Sequence, residues 1–333
     1  MTTQDYNNKK QSMKKFILPF SKITKKDVGI AGGKGASLGE MTKAGIAVPP
    51  GFVIVADAYD YFMDETPRSP VADTDLDVDA QLKKVNFDDM NSIDQASNVI
   101  RDIMNDTKMP KVLSDEIKAE FKKFKAKYVA VRSSATVEDS SIASWAGELE
   151  TYLNTVDKTL LQNVKKCWSS LFTPRAIFYR YEKNLHDQKV SVAVVVQEMV
   201  ESEISGIAFT VHPVTKDKNQ MIIEAGFGLG EAIVSGQVTP DSYIVDKKDL
   251  SILDINIAEQ KKMLVRKSAA GNIVWKPVAK TKQESQVLTG KQIIELSKIC
   301  VKIEKHYKYP QDIEWAYAKG KFYITQSRPI TTL

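Results

Sequence analysis

Hydrophobic positions along this chain keep two rhythms. Through roughly the first 190 residues they recur mostly at helical spacing, and beyond that point they come in short runs separated by Gly/Pro turns. Residues 34–44 predict a helix that Gly45 stops, and Pro49-Pro50-Gly51 then turns into a strand over 52–55. From 63 to 89 the chain is acidic and carries Pro67 and Pro70, which predicts a loop with short helical pieces. Two helical patterns follow across 93–127, divided near Met109-Pro110, the second basic on its exposed face. A short strand at 129–131 then leads Arg132 into a Ser-rich loop, and 158–184 predict one or two helices with Trp168, Leu171 and Phe172 on the apolar side. Strands are expected at 190–196, 206–210, 221–224 and 242–245, then a long helix at 290–307 and a closing hairpin. The change of rhythm near residue 190 predicts two domains, 16–189 and 190–333, behind a polar, disordered tail at 1–15. The sequence carries no internal repeat.

Composition narrows the function classes. With 43% hydrophobic and 27% charged residues, 333 residues suffice for a substantial core in each of two domains. The net charge of +5 is mild and the lysines are spread out, not interleaved with aromatics, so no nucleic-acid partner is expected. The apolar run at 190–196 is interrupted by Ser191 and too short to span a membrane, and the patch at 16–20 is too short for a secretion signal. Cys167 and Cys300 belong to no CxxC or His-rich spacing, which predicts a reduced, cytoplasmic protein without a structural zinc or a membrane partner. His186, His212 and His306 show no ligand spacing, and none is expected to act as a catalytic base.

The last residues hold the densest chemistry. Runs at 314–318 and 321–326 flank Lys319-Gly320 and predict a hairpin. With a three-residue loop, Lys319-Gly320-Lys321, and Gly320 in the left-handed region, Glu314 lies opposite Gln326 and Asp312 opposite Arg328. Two carboxylates, an amide and a guanidinium then share one face, a set suited to magnesium and phosphate. A plain two-residue loop pairs Glu314 with Thr325 instead and scatters the set, leaving an edge hairpin with ordinary surface charges.

Four other segments admit a functional and a structural reading. Ala31-Gly32-Gly33-Lys34-Gly35-Ala36-Ser37 opens a helix, where amide N–H groups and the Lys34 ammonium could seat an anion; it could equally be a turn before a capped helix. It is not a Walker A loop, because Val28 stands where that motif needs Gly and Gly35 where it needs Ser or Thr. Arg132 at the end of a buried strand, followed by Ser133-Ser134-Ala135-Thr136, reads as a fixed cation with a lid, or as a hydroxyl-rich connection. Gln197-Glu198-Met199-Val200 offers an adenine ring a backbone edge, or is a strand leaving the core. Gly226-Phe227-Gly228-Leu229-Gly230-Glu231 is a phosphate or metal loop, or a tight turn; its spacing is not the dinucleotide fingerprint.

These motifs, in this order over nearly the whole chain, resemble the ATP-binding domain of the phosphoenolpyruvate synthase and pyruvate phosphate dikinase family, with which rifampin phosphotransferase also begins. The resemblance implies an α+β, ATP-grasp-like module whose two subdomains clasp magnesium-ATP between them. By position, Lys34 and Arg132 would hold phosphates, Gly147 and Thr151 would line the lid, and Gln197, Glu198 and Val200 would contact the adenine. Glu314 and Gln326 would position Mg2+ and the triphosphate, and Arg328 the phosphate being transferred, with Arg328, Arg132 and Lys34 as the catalytic cations. The implied reaction cleaves ATP to AMP and passes the β-phosphoryl group to a histidine on a separate domain or subunit, by electrostatic catalysis.

Departures from the pattern shape the alternatives. None of the three histidines sits in a phosphocarrier motif, and Glu148 stands where the family often has Gln. The chain is therefore expected to hold the ATP half of the reaction and to depend on a phosphohistidine-bearing partner in trans, as the split phenylphosphate synthase arrangement does. The other readings are an excised ATP-binding domain of rifampin phosphotransferase or a phosphoenolpyruvate synthase, or a regulatory protein that binds the nucleotide without turnover. Retention of Lys34, Arg132, Glu314, Gln326 and Arg328 speaks against the last.

Overall fold

The computed structural model describes residues 15–65, 78–136, 150–185, 190–267 and 272–331; the expected tail, Gly147, Glu148 and His186 lie outside them. The fold mixes α and β. Five strands, β1 (Ile17–Pro19), β2 (Gly51–Ile54), β3 (Val129–Ala135), β4 (Thr151–Thr155) and β5 (Val192–Glu198), form an antiparallel sheet in the order β1-β2-β5-β3-β4. A second antiparallel sheet takes β6 (Ile204–Phe209), β7 (Gln220–Phe227), β8 (Asp241–Asp246), β9 (Ile252–Asn256), β12 (Gln311–Ala318) and β13 (Lys321–Pro329) in the order β13-β12-β6-β7-β8-β9. Strands β10 (Lys262–Arg266) and β11 (Ile273–Pro277) make a separate hairpin. Since β5 pairs within the first sheet, the chain passes from one sheet to the other between Glu198 and Ile204, beyond the change of rhythm near residue 190.

Strand alternation sorts the first sheet's two faces. Val129, Val131, Val192, Val194 and Val196 point into a core built with Phe62, Trp168, Leu171 and the apolar sides of α4 (Met90–Asp106), α5 (Lys111–Phe124) and α6 (Asp157–Ser169). On the other face, Val53, Ala193 and Val195 pack under Leu38 and Met41 of α1 (Val28–Lys43). That second core runs on to Ile313, Trp315 and Ile324 of the closing hairpin and to Ile293, Leu296 and Ile303 of α9 (Gly290–Tyr307), so it joins both sheets. Helix α9 starts where Thr289 and Gln292 cap one another, Gln292 N–H on Thr289 Oγ1 at 3.3 Å and Thr289 N–H on Gln292 Oε1 at 2.9 Å. Among the described residues no helix is long and apolar enough to cross a membrane.

The structure changes two details of the expected elements. Strand β3 continues through Ala135, so Arg132 stands in mid-strand instead of at its end. Buried Ser133 and Ser134 can occupy strand positions because their hydroxyls have partners: Ser133 donates to Glu150 O at 2.9 Å, and Ser134 to Ala31 O at 3.0 Å. The closing hairpin has a two-residue loop, with Ala318 opposite Lys321 and both Lys319 and Gly320 at positive φ, not the three-residue loop of the bulged alternative. A bulge lower down, where Trp315 faces Ile324 while Glu314 faces Gln326, skips Thr325 and restores the pairs Glu314–Gln326 and Asp312–Arg328.

The second sheet yields two expectations. Gly206 faces Trp315 across the ladder, and a Cβ there would lie 1.8 Å from Glu224 O and 2.7 Å from the indole. Gly206→Ala should therefore cost at least about 1–3 kcal/mol, read as a lower urea midpoint; an unchanged midpoint would mean the strand shifts freely. Glu224 of β7 is half-buried, and burial first, then the charge of Asp312, push its carboxyl up from the ordinary value. The folded form thus holds this proton more tightly than the unfolded one, so the stability it contributes is present at low pH and lost as pH rises through the carboxylate range. Glu224→Gln should raise the midpoint at neutral pH, and the gain should vanish in acid.

Candidate functional site

A cavity of about 310 Å³ opens between the two sheets. The first sheet presents its polar positions there: Gln197 pairs with Ala130, Arg132 pairs with both Val195 and Thr151, and the alternation that buries Val131 and Val196 turns Ala130, Arg132 and Gln197 toward the cavity. The opposing wall comes from Glu314 and Trp315 of β12, Gly206 of β6 and the Leu229-Gly230-Glu231 stretch.

Arg132 crosses between these walls. Its Nη1 donates to Thr325 O at 3.0 Å and its Nη2 to Glu314 Oε2 at 3.3 Å and to Gln326 Oε1. Thr325 is the residue the bulge leaves out of the ladder, which explains why its carbonyl is turned to the guanidinium. Arg132 is only 8% exposed, and among the described residues its Nε has no hydrogen-bond partner. Gln197, 2% exposed, likewise has an Nε2 with no partner among them. Two buried donors without acceptors, on residues that line one cavity, fit a ligand rich in acceptors.

Next to them lies an acidic row. Asp312 and Glu314 share a face of β12, and Glu224 stands beyond Ile207 in the same cross-strand row as Glu314. Arg328 binds Asp312 through Nε at 2.9 Å and Nη2 at 2.7 Å. Burial raises the Asp312 carboxyl, Arg328 opposes that rise, and Glu314 adds to it. Among the described residues no three His, Cys, Asp or Glu side chains make a metal cluster. The oxygens of Glu314 and Gln326 are nonetheless the hard donors magnesium takes, and magnesium commonly completes its shell with phosphate oxygens and water.

The cavity brings together Arg132, Thr151, Gln197, Glu198, Val200 and Glu314 of the expected site residues. Gln326 does not line it but holds Arg132, and Lys34 and Arg328 stand outside the lining. Lys34 follows a break in α1 at Gly32, where φ is +68° and a Cβ would fall 2.3 Å from Ser134 O. Ser134 Oγ also accepts the Gly35 N–H at 3.2 Å, so β3 fixes the glycine loop from the same strand that carries Arg132. At the end of β5 the amides of Glu198 and Met199 donate to Pro50 O and Tyr128 O. Ser202, Ser205 and Leu229 also line the cavity. The glycine motif pointed to Leu229, whereas the two serines carry no sequence signal.

Comparison with known proteins places the chain in a family. The family model described as "Pyruvate phosphate dikinase, AMP/ATP-binding domain" matches residues 28–333. A probable phosphoenolpyruvate synthase of Pyrococcus horikoshii is 44% identical over 96% of this chain and 44% of its own length. Another from Methanocaldococcus jannaschii is 46% identical over 98% of this chain and 27% of its own, and the rifampicin phosphotransferase of Bacillus subtilis is 40% identical over 96% and 36%. This chain thus spans less than half the length of each of these relatives. The solved D-alanyl-alanine synthetase A of Vibrio cholerae aligns over 71% of this chain and 54% of its own at 13% identity and a TM-score of 0.28, too slight to bear on the fold. On the family match and these near-complete alignments, the chain belongs to the pyruvate phosphate dikinase AMP/ATP-binding domain family.

Proposed function

We propose that this chain is the ATP half-site of a dikinase-type phosphotransferase, in which two ATP-grasp-like subdomains, one built on each sheet and meeting between Glu198 and Ile204 instead of near residue 190, clasp magnesium-ATP. The observation that carries the proposal is Arg132, a buried guanidinium from one sheet set among Thr325 O, Glu314 and Gln326 of the other, beside the unpaired amide of Gln197. Val200 and Gln197 would meet the adenine, with Glu198 beside them. Thr151, and by the family resemblance Gly147, would line the lid. Arg132, Lys34 and Arg328 would neutralise its charge. Glu314 and Gln326 would hold magnesium, which when bound would screen the phosphate oxygens and hold them in place. Phosphoryl transfer asks little of a protein base, so positioned cations would suffice.

The reaction we propose cleaves ATP with one water to AMP and phosphate: the β-phosphoryl group passes to a histidine on a separate domain or subunit, AMP leaves, and water takes the γ-phosphoryl group as inorganic phosphate. The chain alone with magnesium-ATP should release no AMP; with the histidine domain of a phosphoenolpyruvate synthase supplied in trans, AMP should appear together with acid-labile phosphate on that domain. Absence of AMP under both conditions would leave a nucleotide binder and overturn the transferase reading. Arg132→Ala should slow transfer on the order of 10²–10³-fold, the usual loss when one preorganised donor to developing charge is removed. Arg328→Ala should abolish transfer yet leave ATP binding measurable by calorimetry, and undiminished transfer in that variant would show that Arg328 has no part in the step.

A further inference from the structure

The β10–β11 hairpin lies outside the two sheets but is fastened to both walls of the cavity. In the middle of β10 the Leu229 N–H donates to Leu264 O at 2.8 Å, and Gly228 forms a parallel bridge with Leu264, so β10 is tied to the glycine stretch that lines the cavity. Two residues on stands Arg266, the last residue of β10. Its guanidinium carbon lies 3.9 Å from the centre of the Tyr128 ring, its Nη1 donates to Asn154 Oδ1 at 3.3 Å, and its Nη2 pairs with Glu201. Tyr128 immediately precedes β3, which carries Ala130 and Arg132; Asn154 belongs to β4, which carries Thr151 and Leu153; Glu201 sits between Val200 and Ser202 in the crossing from one sheet to the other. All six of those neighbours line the cavity, and Arg266 does not.

The Arg266 side chain is 10% exposed, and burial on that scale is tolerated only with good compensation; its partner carboxylate Glu201 is 64% exposed and contributes little, so the Tyr128 face and the Asn154 amide oxygen are the contacts that hold it. Asn154 is itself 7% exposed and holds a positive φ of 53°, a backbone state that Asn tolerates better than most residues.

We propose that Arg266 is a positioning residue for the nucleotide site, setting the separation of the cavity walls by holding the β10–β11 hairpin against Tyr128 and Asn154. The proposal rests on the nucleotide reading above. Removing the clamp would let the Leu229–Glu231 wall move away from β3 and β4, so nucleotide would bind to a cavity that must first be closed.

The test is ATP affinity with excess magnesium chloride, by calorimetry on the whole chain, with thermal unfolding recorded alongside. Arg266→Ala should weaken ATP binding by about tenfold, the scale of one charge-assisted contact, while the protein stays folded at the assay temperature. Arg266→Lys should recover part of the loss, since it keeps a cation for Glu201 and the Tyr128 ring but not the fork that reaches Asn154. Asn154→Ala should weaken binding alone yet add little in the Arg266→Ala background. Unchanged affinity in Arg266→Ala, strictly additive losses with Asn154→Ala, or loss only in proportion to unfolding would each overturn the clamp. Failure of the unsubstituted chain to bind ATP is a different result, and it would bring down the nucleotide reading together with the clamp.

Discussion

Arg132 starts on a strand of the first sheet and ends among oxygens of the second. Withdrawing a guanidinium from water costs several kcal/mol, and here the cost is offset only where Thr325 O, Glu314 and Gln326 come together. Those three groups belong to β12 and β13, so the pairing stabilises a single placement of the hairpin relative to β3. It also constrains the hairpin's own register. Without the bulge at Thr325, Glu314 would no longer face Gln326, and the carboxylate and carboxamide would not converge on one cation. Sheet placement, bulge and cavity wall are thus consequences of satisfying one buried charge.

A second set of contacts ties α1 to the same hairpin, through Ser327, and to α9, through His306 and Tyr307. Ser37 Oγ donates to Ser327 O at 2.7 Å, Tyr307 OH donates to Ser37 O at 3.2 Å, and His306 Nε2 lies 2.7 Å from Glu40 Oε1. Burial would raise the Glu40 carboxyl, but the Lys25 amide and His306 outweigh it and hold Glu40 below the usual carboxylate value. The stability this contributes is present at neutral pH and lost as pH falls through the carboxylate range. With Ser134 holding the Gly32 break at one end and these groups holding the helix further along, Lys34 is indexed to β3 and to β13 at once.

Much of this was legible in the sequence wherever a local rule and the tertiary structure agree. The long helix at 290–307 has both its period and its cap, and the strand at 190–196 is apolar enough to be buried on both faces. The pairs Glu314–Gln326 and Asp312–Arg328 were reachable because any one extra residue on the β13 side gives them, whether in the turn or lower down. Where that residue sits could not be read, because Thr325 is displaced by Arg132, which is 193 positions away. Strand β3 looked short for a related reason. Serines end strands in isolation, and only the distant carbonyls of Ala31 and Glu150 allow Ser133 and Ser134 to continue one. The outer strands β9, β10 and β11 carry charged and apolar residues on half-exposed surfaces, so their alternation is weak.

The cations of the site are held with unequal strength, and that bears on which can move. Arg132, whose side chain is 10% exposed, cannot leave its partners without stranding its own charge in a buried place, a loss of about 3–5 kcal/mol. The Arg328 side chain is 39% exposed, so exchanging Asp312 for another anion costs that residue little on the scale of about 0–1 kcal/mol for exposed pairs. The cost falls on Asp312, 14% exposed, and there burial already favours the protonated acid, as the raised carboxyl shows. An incoming phosphate could therefore take Arg328 while Asp312 is neutralised by a proton or a nearby cation. On this argument Arg132 is the fixed point of the charge array and Arg328 its more exposed member, which suits the phosphate-binding role proposed for it.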